Sequence, residues 1–222
     1  YDTRTWFVIL LIPIIPLKRL RIIDYCSGCT RHYAMDIDKW ETARQLEVSG
    51  ALEKYRSQPT PEAAIEAHQS MMNYHQLEDA AAFRKLLRER YADNAKVHAY
   101  LGAVLERFAQ LDEADAAYAR AFQLRPDLPE ARIGVARGHL RAGRLAEARP
   151  LLDFLEKPGA AQLYSLEPLD TLARALQKAG QHETALELFA IIQRELPELN
   201  EKRWLRDLIH KSEKALQRRD SQ

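Results

Sequence analysis

The sequence predicts a mainly α fold, an α-solenoid of stacked helical hairpins preceded by a small β segment. Three observations carry this prediction. Composition changes abruptly near residue 37, from β-branched and aromatic residues to Ala, Leu, Glu, Arg and Gln. From there on, apolar residues recur at helical spacing almost throughout. Similar segments also return along the chain, with steps of 34 residues from Pro61 to Ala95 and from Ala95 to Pro129, which marks a repeat architecture.

The first element is apolar, Trp6 to Leu17, and Pro13 and Pro16 break it. Its β-branched and aromatic residues read as short strands with a bend between them. A second strand is expected over Leu20–Asp24. The apolar run is twelve residues long, where a membrane-crossing helix needs about 20. No small-residue cleavage site follows it, so it does not read as a signal peptide. A buried strand pair is the expected use.

Helices follow. Asp38 is placed to cap a connecting helix through Trp40, Ala43, Leu46, Leu52 and Tyr55, which Ser57-Gln58-Pro59-Thr60 ends. The repeats come next. The segment from Ala95 has Leu101-Gly102, then Ala114, Tyr118, Ala121 and Pro126. That from Pro129 has Val135-Ala136, Gly143, Ala148, Leu152 and Leu155. That from Leu166 has Leu172-Ala173, Gly180, Ala185, Phe189, Ile192 and Pro197. A weaker copy from Pro61 has Ala67-His68, Ala80, Leu86 and Leu87 but lacks the closing proline. The segment from Pro129 carries about three extra residues, assigned to Lys157-Pro158-Gly159-Ala160-Ala161. Gly143 and Gly180 read as left-handed helix caps. The last helix, over Leu199–Leu216, has its apolar residues at Trp204, Leu205, Leu208, Ile209 and Leu216, as a solvating cap would. Gln217–Gln222 reads as a polar tail.

This pattern resembles the tetratricopeptide repeat. The resemblance implies that Gly102, Ala136 and Ala173, with Ala114, Ala148 and Ala185, let the two helices of a hairpin approach closely. Tyr118 and Phe189 would fill the gap between successive hairpins. The domain boundaries expected are 1–37 for the β segment, 38–60 for the connecting helix, 61–197 for about four repeats, and 198–222 for the cap helix and tail.

The two cysteines, Cys26 and Cys29, are spaced as a zinc knuckle, with Gly28 relieving the backbone between them. Two cysteines this close cannot build a disulfide framework. A structural zinc takes four ligands, and His32 is a candidate third. With the strands and the bend, the N-terminal block resembles one half of a bacterial zinc ribbon. That resemblance implies an earlier Cys-x-x-Cys before Tyr1 and hence a truncated site. Zinc is therefore the expected cofactor, its site incomplete in this chain. A thiol–disulfide couple is the alternative reading, although no helix is evident after Cys29 to lower a thiol pKa. Simple packing of the two side chains is a third.

The charges nearly cancel, 33 Lys+Arg against 32 Asp+Glu, so a strongly basic nucleic-acid binder is excluded as a description of the whole chain. There is no Gly-rich phosphate loop, Gly-x-Ser-x-Gly elbow or His-Glu-x-x-His motif. The expected function is non-catalytic: a cytoplasmic protein–protein interaction scaffold. In the family resembled, the first helix of each hairpin lines the concave face, where a peptide segment of a partner would bind. The resemblance places Lys96, Glu106, Ile133, Arg137, Arg141, Arg174, Gln177 and Lys178 there. Lys96, Arg137, Arg141, Arg174 and Lys178 are the candidate partner-binding residues. The basic strip among them, Arg137, Arg141, Arg174 and Lys178, would suit acidic residues or a C-terminal carboxylate. The same charges are equally what a solvated helix face carries. A membrane-associated assembly factor, anchored outside this piece, is a further alternative.

Overall fold

The computed structural model describes residues 2–9, 12–26 and 31–220. They form two compact units, Tyr1–Glu89 and Arg90–Gln222.

The first unit opens with a three-stranded antiparallel sheet in the order β1 (Asp2–Ile9), β2 (Ile12–Cys26), β3 (Arg31–Asp36). The segment expected to bend is part of the long strand β2. Pro13 and Pro16 are accommodated because they lie in the half of β2 that pairs with β1 alone, where the register slips between Thr5 and Trp6 and between Phe7 and Val8. Prolines are tolerated at such sheet edges and bulges because no ladder donor is lost. Arg21 donates to Asp2 at 2.7 Å across the β1–β2 pair. Lys18 meets Asp36 at 2.7 Å.

Helix α1 (Ile37–Ser57) follows without a break. Its cap is Asp36 and not the expected Asp38. The Asp36 carboxylate accepts from the Asp38 N–H at 3.2 Å, which places Asp38 inside the first turn. Two further helices, α2 (Pro61–Asn73) and α3 (Leu77–Arg90), correspond to the weak first repeat. Thr60 caps α2 and Pro61 opens it, as the missing proline N–H allows. Val48, Met71 and Ala80, one from each of α1, α2 and α3, make this unit's helical core. Tyr55 meets Phe83 edge-on, with ring centroids 5.3 Å apart. His68 is fully buried here.

The second unit is a row of helical hairpins: α4 (Ala95–Arg107) with α5 (Leu111–Leu124), α6 (Pro129–Arg141) with α7 (Leu145–Leu152), and α8 (Glu167–Lys178) with α9 (His182–Glu195). The extra residues after α7 fall where expected. Two short 3-10 turns, Asp153–Glu156 and Ala160–Gln162, flank Gly159, whose φ is +81°. The carboxylate of Glu195 on α9 ties this insertion down by accepting from the Gly159 N–H at 2.8 Å.

One backbone feature repeats through both units. A residue with positive φ ends the first helix of each hairpin: His75, Ala109, Gly143 and Gly180, at steps of 34, 34 and 37 residues. The bonds around it are the same each time. The Ala109 N–H donates to Glu106 and the next N–H, of Gln110, to Leu105; Gly180 and Gln181 repeat this onto Gln177 and Leu176. This is the left-handed helix stop. His75 and Ala109 adopt it despite carrying a Cβ, at about 1–2 kcal/mol each.

One core cluster of the second unit runs from Ala136 through Leu152, Leu172, Leu176 and Phe189 to Leu205. Leu205 belongs to the last helix, α10 (Arg203–Asp220), which closes the row. It extends past Leu216, so residues 217–220 are helical and not a loose tail. Gln177 anchors it, its Nε2 donating to the Leu208 carbonyl and the Ser212 hydroxyl at 2.6 Å each.

Candidate functional site

Within the second unit, first helix packs on first helix: α4 against α6, and α6 against α8. The second helices, α5 and α7, pack onto the next hairpin's first helix. Helices α4, α6 and α8 therefore share one continuous face, and two cavities open on it.

The first cavity lies between α4 and α6 and has a volume of about 530 Å³. Ala99, Tyr100, Ala103, Leu128 and Ile133 line it, Tyr118 floors it, and Lys96, Glu130 and Arg137 stand at its edge. The floor is rigid for a sequence reason. The Tyr118 ring, only 3 % exposed, fills a slot that exists because Gly102 and Gly134 lack side chains. A Cβ on Gly102 would lie 2.8 Å from the ring, and one on Gly134 2.1 Å from it. Burial, together with the nearby Glu106 charge, pushes the phenol well above its ordinary pKa. It therefore keeps its proton, which it donates to Glu106 at 3.3 Å.

The second cavity, of about 550 Å³, lies between α6 and α8, among Glu106, Leu140, Arg141, Ser165, Glu167 and Thr171. Arg137 borders both cavities. It donates to Glu106 at 3.1 Å and to Glu167 at 2.7 Å. Arg141 donates to the other oxygen of Glu106 at 2.7 Å and also to Asp115.

The expected basic strip is thus not an uncompensated one. Arg137 and Arg141 are brought together, but around Glu106, inside a lattice that spans three hairpins. Arg174 pairs with Asp170 at 2.7 Å and lies over the Trp204 ring at 4.8 Å. Neither Arg174 nor Lys178 lines either cavity. Lys96 shares the first cavity with Arg137. Gln177, expected on the open face, is buried against α10. Gly134 escaped the sequence reading, although a glycine inside a helix costs about 1 kcal/mol and so signals a packing need. The pairing of Glu106 was also missed. Its partners lie 31 and 35 residues later, one repeat away in each case.

Solved structures resemble this chain, among them the following two. YrrB, described as a tetratricopeptide repeat protein with an unusual peptide-binding site, matches with a TM-score of 0.54 and 14 % identity over 76 % of this chain and 93 % of its own. MamA matches with a TM-score of 0.52 and 15 % identity, over 75 % and 91 %. The fold is a tetratricopeptide-like array. No family model matches the chain. A stretch of 103 residues, 45 % of the chain, is 32 % identical to cellulose synthase operon protein C of Pseudomonas fluorescens (strain SBW25). The chain spans 8 % of that protein's length.

Outside the tetratricopeptide array, Cys26 ends β2, and Cys29 lies outside the described residues. The pair brings two donors of the four a structural zinc takes. Among the described residues no group of three or more His, Cys, Asp or Glu side chains is placed to hold a metal. Chain from Arg31 runs as strand, so the described residues put no helix N-terminus beside the pair to activate a thiol. Among the described residues no helix is long and apolar enough to cross a membrane.

Proposed function

We propose that this chain is a non-catalytic interaction module and that the face made by α4, α6 and α8 binds an extended peptide segment of another protein. The observation that carries this reading is the pair of adjoining cavities along one row of first helices. A row of pockets at repeat spacing suits an extended chain, whose side chains can enter successive pockets. The peptide-binding site named for YrrB lends support to the reading. Lys96, Arg137, Arg141, Arg174 and Lys178 belong to the helices of this face and are its proposed polar contacts. Arg137 and Arg141 act through cavity walls they already brace. The Cys26–Cys29 pair is proposed as a structural zinc half-site.

The test is photo-cross-linking. A benzophenone amino acid replaces Glu130, which is exposed on α6 at the edge of the first cavity, or Ala116, which is exposed on α5. Short peptides selected on a random array should cross-link from position 130 and not from 116. Cross-links from 116 alone would place binding elsewhere and sink the proposal.

A further inference from the structure

Building on that peptide-binding reading, we propose that the array grips its peptide by one uncharged apolar side chain, seated on Tyr118 in the cavity between α4 and α6. Charged residues of the peptide then add little.

The cavity has the character of a side-chain socket. Its volume of about 530 Å³ lies within the ~300–1,000 Å³ typical of ligand pockets. Its walls are Ala99, Ala103, Leu128 and Ile133, with the Tyr100 ring. Its floor, the Tyr118 ring, packs closely against the backbone of Gly102 and of Gly134. A socket shaped in advance spares the ligand the cost of ordering it.

Charge selects the occupant. Each arginine of this face is already engaged: Arg137 by Glu106 and Glu167, Arg141 by Glu106 and Asp115, Arg174 by Asp170. An arriving carboxylate meets cations whose charge is already largely offset by the chain's own carboxylates, and so gains less from them than from an unpaired arginine. The remaining charges at the socket's edge, Lys96 and Glu130, are opposite in sign. A neutral apolar side chain meets no such competition and gains the full benefit of leaving water. The complement of this socket is therefore a large aliphatic or aromatic residue in a neutral stretch of chain.

The experiment uses the full chain and fluorescein-labelled peptides of Gly and Ser, each with one central Ala, Leu, Phe, Glu or Lys and with neutral, acidic or basic flanks. Binding is read by anisotropy at low and high salt. The Leu and Phe peptides should bind about tenfold to a hundredfold more tightly than the Ala peptide, the range set by burying one large side chain. Acidic flanks and added salt should shift affinity less than about threefold, because screening acts on exposed charge. Ala103→Phe, which fills the socket from its open side, should erase the preference for Leu and Phe without changing Tm. Ile133→Ser is the second variant, should the first disturb the fold. Affinity that follows acidic flanks, collapses with salt and ignores both variants overturns the apolar anchor while leaving peptide binding standing. Failure of every peptide to bind overturns both.

Discussion

Replacing Gly134 by alanine adds one methyl group at the tightest point of the array. The new Cβ would stand 2.1 Å from Cδ1 and 2.2 Å from Cγ of Tyr118. Retreat of the ring is opposed by Gly102, which faces it from α4, and by the hydroxyl's hydrogen bond to Glu106. Two terms oppose each other. Alanine in a helix interior is favoured over glycine by about 0.5–1 kcal/mol. Overpacking a filled site costs about 1–3 kcal/mol, and contact with ring carbons on a pinned side chain calls for the upper part of that range. The net expectation is a loss of about 2 kcal/mol, or some 4–8 °C in Tm for a chain of this size. Gly50 supplies the control. It lies within α1, exposed, with nothing within 4 Å of where a Cβ would go. Gly50→Ala should therefore stabilise by about 0.5–1 kcal/mol. Both are read by urea and thermal unfolding followed by far-UV circular dichroism. If Gly134→Ala matches or exceeds wild type in Tm, the Tyr118 slot is refuted.

Two other outcomes are expected. Burial, aided by the Arg84 charge, holds the His68 pKa at about 4 in the folded chain, below its ordinary 6.5. The unfolded chain thus binds more protons between these values, and stability is complete above pH ~6.5 and lost as pH falls towards ~4, by up to about 3 kcal/mol. His68→Leu should flatten this part of the urea-midpoint profile between those two pH values; an unchanged slope would mean that His68 is not the group responsible. Zinc is tested by metal analysis of protein purified without chelator, with Cys26→Ser and Cys29→Ser as controls. The half-site proposal expects zinc that both variants lose, and zinc retained in both would refute it.

Much of the fold is legible in the sequence because repeat packing leaves compositional traces. Small residues sit where helices approach, and Gly143 and Gly180 mark two of the helix stops. The first two stops are not so marked. His75 and Ala109 take the same left-handed turn without glycine, so the first repeat shows only as a faint alignment. The cap of α1 was misplaced by two residues because Asp36 and Asp38 are both competent caps, and only the backbone at Ile37 decides between them. The candidate site was harder to read. Its helices and cations can be assigned from periodicity. Whether a cation is free depends on what faces it from the neighbouring hairpin, and Glu106 is a whole repeat away from Arg137 and Arg141. The socket escaped notice for a similar reason, since Gly134 acquires its meaning only when Tyr118 of the preceding hairpin lies against it.

The Glu106 lattice has a consequence for how the array comes apart. In a stack whose members touch only their neighbours, what couples one hairpin to the next is the interface between them. Here α4 supplies Glu106, α6 supplies Arg137 and Arg141, and α8 supplies Glu167. Arg137 is the shared link, bonded forwards and backwards at once. Melting the middle hairpin would strand carboxylates on both sides, and melting either end would strip one partner from the middle. Penalties that fall on neighbours in this way couple their fates. The pairs thus strengthen the coupling between adjacent hairpins, and the face they build is held by both of its seams.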